Sequence, residues 1–274
     1  MDIIEIIKDS FVFPSTDIKT LLIYVVLSVV AAAFCIFGTI MYAMGIAVPE
    51  LFMWGGIAIV ISLLIGWVLS GYLITVIKSG IEMDENVPQF VWWDNFITGF
   101  DSFIVAIVYF LIPAFIVVVV GYLSHIFENL AIIAHEISSQ AWLTYLGSTI
   151  VITDALSHAL VNLLIGLTFT LTVAVVVFVI FSFIQCMAEA RLANTGSLGE
   201  ALNVFEAAKD IKRIGILKVV AVIILVIIIV GIVGAVLSAI TNLIPILSIL
   251  SVFVTPYMAI FAQRAVGLLY SDIA

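Results

Sequence analysis

The stretch VVAVIILVIIIVGIVGAVL, from Val219 to Leu237, decides how this chain must be housed. Fifteen of its nineteen residues are Val, Ile or Leu, and none is charged. At roughly −0.3 to −0.6 kcal/mol for each such residue at a helix centre, the run enters a bilayer unaided. Its β-branched richness suits strands, but the run is far longer than strands usually are. A barrel strand would also alternate polar with apolar residues, and this run does not. A transmembrane helix remains, because it satisfies every backbone polar group within the segment.

Other stretches without Asp, Glu, Lys or Arg are 20–49, 51–77, 102–127 and 155–188, and the one around Val219 spans 219–263. One crossing needs roughly 20 apolar residues. The first four therefore hold one span each. The last is 45 residues long and holds two, joined at Thr241-Asn-Leu-Ile-Pro245 by a tight hairpin. The expected fold is all-α, a single polytopic membrane domain over 1–274 with six transmembrane helices near 20–44, 52–78, 102–123, 156–186, 216–240 and 246–270. Composition agrees. Of the 274 residues 65% are hydrophobic and 10% charged, against about 25% charged in a soluble domain. The mean hydropathy is +1.39. A soluble globular domain and a disordered chain are excluded. So is a nucleic-acid partner, because the net charge of −9 leaves no basic footprint.

The nine bases fix an orientation. Lys8 and Lys19 precede span 1, and Lys78 ends span 2. Arg191, Lys209, Lys212, Arg213 and Lys218 lie between spans 4 and 5, and Arg264 lies in the last turns of span 6. The loops 45–51, 124–155 and 241–246 hold no Lys or Arg. All nine fall on one side of a six-span chain, which predicts a cytoplasmic-membrane protein with both termini in the cytoplasm. The mixed-charge start and the long first apolar run do not read as a cleavable signal peptide. Cys35 and Cys186 read as packing residues.

Three stretches on the basic side have amphipathic spacing. In 2–13, Ile3, Ile4, Ile7 and Phe11 oppose Asp2, Glu5, Lys8 and Asp9. In 89–100, Trp92, Trp93, Phe96 and Phe100 follow Pro88, and the tryptophans read as interface anchors. In 198–213, Leu198, Leu202, Phe205 and Ala208 make a stripe, with Ser197 and Glu200 at capping-box spacing. Each precedes an odd-numbered span, giving three units of interfacial helix plus hairpin. The units differ in length and share little identity, so a common layout is a simpler reading than an internal repeat.

Polar constellations are few. Asp154, His158 and Asn162 stand at i, i+4 and i+8 on one face of span 4, behind a loop carrying His125, Glu128, His135 and Glu136. His125, His135, Asp154 and His158 are candidate Zn²⁺ ligands. The plainer reading is a capped helix start in wet headgroup space, since no HExxH or other tight motif occurs. Arg264 can snorkel inward, with Glu189 as an expected partner. Pro113 and Pro256 sit mid-span and free backbone carbonyls there. Kinked packing is the plainer reading, and a transport path beside Thr168 and Thr172 the sharper one. Ser62, Gly66 and Ser70, and Gly231, Ala235 and Ala239, repeat at four-residue spacing and suit close helix approach. No P-loop, catalytic triad motif or dinucleotide loop occurs.

Several stretches, Phe11-Val-Phe-Pro14 through Asp17 to Thr20-Leu-Leu, Ser70-Gly71-Tyr72 to Lys78, Val87-Pro88-Gln-Phe-Val-Trp92-Trp93-Asp94, Gly99-Phe100 to Tyr109-Phe-Leu-Ile-Pro113, and Pro256 to Arg264, Gly267 and Tyr270, occur in this order. Together they resemble a prokaryotic, mostly archaeal membrane family known as domain of unknown function 4013, over nearly the whole chain. More distantly the chain resembles the membrane domain attached to some glycerophosphodiester phosphodiesterases, without their catalytic domain. The resemblance implies a six-span membrane protein and supplies no reaction, cofactor or catalytic residue. The expectation is a non-enzymatic membrane-organising or partner-binding protein without cofactor. Its partners would be membrane lipids, a second copy or another membrane protein. The alternatives are a transporter of a small or lipidic molecule, with a cavity between spans 3, 4 and 6, and a metal-dependent membrane enzyme.

Overall fold

The computed structural model describes residues 1–141, 145 and 151–274. The protein is 87% helical, with no strand among the described residues. The amphipathic helix α1 (Ile3–Val12) and a 3₁₀ turn, Phe13–Ser15, lead into α2 (Ile18–Met44) and α3 (Glu50–Ile81). Then come α4 (Trp92–Leu123), α5 (Ile126–Ser139) and α6 (Asp154–Thr195). The short α7 (Leu198–Ala201) and amphipathic α8 (Val204–Ile214) precede α9 (Ile216–Leu243). A 3₁₀ segment, Pro245–Leu250, opens α10 (Ser251–Tyr270). Six of these segments are long and apolar enough to cross a membrane: α2, α3, α4, α6, α9 and Pro245–Tyr270. The window within α9 has the highest mean hydropathy, 3.5.

The chain forms two compact units, residues 1–106 with 183–274, and residues 107–182. In the first, α3 packs on α2 and α10, and α1 lies against α10. Close backbone approach depends on glycines. A Cβ on Gly71 would overlap the carbonyl of Asn95, and one on Gly99 would overlap that of Trp67, so α3 and α4 cross almost backbone to backbone. Gly80 and Gly267 do the same for α3 and α10. In the predicted small-residue stripes, Ser62 meets α2 by donating to the Ala31 carbonyl (2.8 Å), but the glycines have open space. A Cβ on Gly66 or Gly231 meets nothing within 4 Å.

The second unit is closed by polar contacts of its own. His125, at φ 55°, turns the chain from α4 into α5. The Gln140 side chain brackets the Val151 backbone, accepting from its N–H (2.7 Å) and donating to its carbonyl (3.0 Å). Thr153 accepts from the Leu156 N–H (3.1 Å) and so caps α6.

Several expected boundaries shift. The expected interfacial helix at 89–100 is not separate, because the first turn of α4 carries Trp92 and Trp93 and the helix runs unbroken to Leu123. Nothing between Phe100 and Tyr109 breaks it, and Gly99 serves the crossing. Pro88 stands ahead of the helix rather than in its first turn. The stretch 198–213 divides at Leu202, and Asn203 caps α8 by accepting from the Glu206 N–H (3.2 Å). Ser197 makes no side-chain cap, so that predicted capping box is absent. At α1 a capping box does form, between Asp2 and Glu5.

Two tests follow from this packing. Gly71→Leu should destabilise the purified protein by about 1–3 kcal/mol, the usual cost of overpacking. Gly66→Leu and Gly231→Leu should leave its thermal midpoint in detergent unchanged. The second test concerns Asp17, which caps α2. The Thr20 hydroxyl (2.7 Å) and the N–H groups of Thr20 and Lys19 hold its carboxyl below the ordinary 3.8. A depressed value means that this cap contributes fully above the unfolded value and is lost as pH falls through the folded one. Thermal midpoints of wild type and Asp17→Asn should therefore differ at neutral pH and converge well below pH 4.

Candidate functional site

Polar chemistry in the first unit gathers around two buried arginines. Arg264 on α10 is 1% exposed. Its Nε donates to Asp9 on α1 (3.0 Å), and one terminal nitrogen donates to the Ser79 hydroxyl (3.3 Å) and the Asp84 carbonyl (2.8 Å). The guanidinium also lies 4.1 Å from the centre of the Phe13 ring. One side chain thus fastens α1, the end of α3 and the loop after it. The Asp84 carboxyl, held below its usual range by hydrogen bonds from Asn86 and by Arg264, keeps that loop turned. Tyr257 adds a second tie to α1 by donating to the Phe11 carbonyl (2.5 Å).

Arg191 near the end of α6 makes the second node. It donates to Asp210 on α8 (2.8 Å), to the Glu200 carboxylate (2.5 Å) and to the Glu200 carbonyl (3.2 Å). Asp210 is fully buried and also accepts from Arg213 (2.8 Å) and the Tyr270 hydroxyl (2.9 Å). α7, α8 and the end of α10 are thereby joined to α6. Lys218 pairs with Asp272 just beyond α10.

These nodes correct the expected faces. Arg264 meets Asp9, not Glu189. On α1 the inward residues are Ile6 and Ser10, followed by buried Phe13 in the turn after it, while Ile4 and Phe11 are 69% and 43% exposed. On α8 the buried residues are Ala207 and Asp210, and Phe205 is 81% exposed. The buried salt links set the rotation of each helix, because an unpaired charge beneath it would cost several kcal/mol. Asp9, Asp210 and Tyr270 are the residues that the sequence reading missed. For the two acids the signal was a charge inside an apolar stripe: Asp9 between Ile6 and Phe13, and Asp210 between Ala207 and Ile214.

Glu189 accepts from Gln185 one turn earlier (3.0 Å) and pairs with no base among the described residues. It lines a 450 Å³ cavity in the first unit with Ser62, Gly66, Trp67, Ser70 and Ser102. That cavity is bounded by α3, α4 and α6, whereas the transport reading places its path between spans 3, 4 and 6. Pro256 is buried in α10 and borders a smaller cavity, of 210 Å³, against α2. Pro113 is buried within α4, which continues through it. Trp92 and Trp93 are 57% and 70% exposed.

A third cavity of the first unit, 250 Å³, lies where the end of α3, the start of α4 and the end of α6 meet. Thr75, Lys78, Asp94, Asn95 and Thr98 line it. In the second unit, His125 pairs with Glu128 (2.8 Å), both exposed, beside a 570 Å³ cavity that Asn162 also lines. His135, Asp154 and His158 are exposed. Among the described residues no three His, Cys, Asp or Glu stand together as a metal site.

The arginine nodes can be tested by pairing variants. Asp9→Ala leaves Arg264 buried without its carboxylate and should destabilise the protein by about 3–5 kcal/mol. The double variant Asp9→Ala with Arg264→Met removes the uncompensated charge and should be more stable than Asp9→Ala alone in thermal unfolding. A double variant that is simply the sum of two losses would show that Arg264 is not held as an ion pair.

Residues 54–242 match the sequence model of a family described as "Protein of unknown function (DUF4013)". The match omits Phe11–Pro14 and Pro256–Tyr270, so it is narrower than the resemblance seen along the sequence. No curated protein and no solved structure matches the chain.

Proposed function

Since the chain belongs to the DUF4013 family of multi-pass membrane proteins of unknown function, we propose from its own residues that it is a non-enzymatic membrane-organising protein, binding lipid headgroups and a membrane-protein partner at its cytoplasmic face. In this reading both termini are cytoplasmic, as the one-sided bases favour. The observation that carries it is the use made of charge. Both buried arginines tie amphipathic helices to the ends of the spans. What the tied helices leave exposed is a surface suited to headgroups and partners: Ile4 and Phe11 on α1, and Phe205, Lys209 and Lys212 on α8. The sequence carries no motif for a reaction.

A second reading, transport of a small solute, draws support from Glu189 in its 450 Å³ cavity. A carboxylate without a base partner at such a position is a functional candidate by default.

One experiment separates them. Cross-linking in native membranes, followed by purification in mild detergent, should give a stoichiometric protein partner or a second copy. The adduct should be lost in a Phe205→Ala/Lys212→Glu variant and kept in Glu189→Gln. Isolation of the chain alone, together with solute uptake into vesicles that Glu189→Gln abolishes, would replace the proposed function with the second.

A further inference from the structure

The 250 Å³ cavity between α3, α4 and α6 is bordered by Asn95, a residue with an unsatisfied polar group that the arginine nodes do not explain. Asn95 is 2% exposed, and its side-chain nitrogen has no hydrogen-bond partner. Its oxygen accepts from Thr75 (3.2 Å). A buried amide donor left unpaired destabilises the fold unless a ligand or water pairs with it. Close packing keeps it where it is, because the Asn95 carbonyl forms the crossing point against Gly71. The cavity it lines also receives two further donors, the Thr98 hydroxyl and the Lys78 ammonium. Lys78 is over half exposed, and its one ion pair, to Glu82, is 4.0 Å long.

Two helix ends of opposite polarity meet at this cavity. α4 begins there, and its first intrahelical bond runs from the Asn95 N–H to Val91, so the N–H groups of Trp92, Trp93 and Asp94 have no partner within the helix. That end attracts an anion. α6 ends there at Leu192, Ala193 and Gly196, where the last carbonyls of a helix favour a cation. Asp94 adds a carboxylate with no ion pair among the described residues. The lining therefore offers anion-binding and cation-binding groups within a single small volume. A plain anion would leave Asp94 opposed, and a plain cation would leave Lys78 opposed. A zwitterion satisfies both.

We propose that this cavity binds the headgroup of an amine-bearing phospholipid. The phosphate is received by Lys78, the Asn95 amide and the opening N–H groups of α4, and the free amine by Asp94 and the end of α6. The size fits, being just under the roughly 300 Å³ at which drug-sized pockets begin. The surroundings favour a lipid over a free phosphodiester. Exposed Trp92 and Trp93 open the same helix, and exposed Val91, Ile97 and Phe100 offer apolar surface for acyl chains. The proposal deepens the headgroup-binding half of the proposed function and rests on the start of α4 lying at headgroup depth. It does not need a protein partner, so absence of a cross-linked adduct would leave it standing.

The test is lipid retention by the full chain. Protein reconstituted with equimolar phosphatidylethanolamine, phosphatidylcholine and phosphatidylglycerol of matched chains is extracted in non-ionic detergent, and bound lipid is counted by native mass spectrometry. Phosphatidylethanolamine should be retained at least about threefold over each of the others. Lys78→Gln should lower retention of all three. Asp94→Asn should keep phospholipid bound but erase the preference for the primary amine. Asn95→Ala should weaken retention, and Thr98→Val serves the same purpose should Asn95→Ala fail to fold. Lys19→Gln, an exposed base away from the cavity, should change nothing. Equal retention of the three headgroups, or a preference that survives both Lys78→Gln and Asp94→Asn, would overturn the proposal. Complete displacement of the lipid by soluble glycerophosphoethanolamine would assign the cavity to a free phosphodiester instead.

Discussion

The structure of the first unit depends on burying two guanidiniums at one end of an otherwise apolar set of helices. A charge moved out of water is tolerated only where carboxylates, hydroxyls and carbonyls replace its hydration. Arg264 obtains them from α1, α3 and the loop after it, and Arg191 from α7 and α8. Arg264 and Asp9 are 255 residues apart, and Tyr270 joins the Arg191 node through Asp210, so the two nodes hold distant segments together with little freedom of register. Apolar contact alone would not do this. A helix such as α9, greasy on nearly every side, gains almost as much from lipid as from protein and carries little information about which side faces inward.

The same argument explains what could be read from the sequence and what could not. The spans were legible because hydropathy acts over some twenty residues at a time, and Val219–Leu237 or 155–188 admit no other solution. Helix rotation was not. On α1, four isoleucines surround the helix, and the Asp9–Arg264 bond, with the Tyr257 tie to the Phe11 carbonyl, selects Ile6 over Ile4 as the inward residue. On α8 the stripe through Phe205 was as regular as the one through Ala207, until Asp210 had to meet Arg191. Close approach behaved in the same way. Gly66 and Gly71 look alike in sequence, yet only Gly71 faces the backbone of α4.

For the candidate sites, the sequence marked residues by oddity: a charge, a proline, a histidine in apolar surroundings. It found Arg264 and Glu189 but gave Arg264 the wrong partner. It passed over Asn95, because an uncharged amide one turn into a helix has no anomaly until its burial and its missing hydrogen bond are known. Trp92 and Trp93 were read as belonging to a separate surface helix. They instead begin a span, the same one whose first turns carry Asp94 and Asn95 to the cavity.

The length of α6 has its own consequence. It is 42 residues, and its charge-free part, 155–188, is 34. At 1.5 Å per residue that charge-free part is about 51 Å along its axis, and the part past His158 and Asn162, residues 163–188, is about 39 Å, against a hydrocarbon layer of about 30 Å. The excess must be absorbed by tilt, by local thickening of the bilayer, or by apolar surface carried into the headgroups, at fractions of a kcal/mol per Å. Arg191, beyond one end of this part, is tied to α7 and α8 and resists being drawn inward. The energy of placing this chain therefore varies with the thickness of the membrane around it, and is lowest where that thickness suits α6.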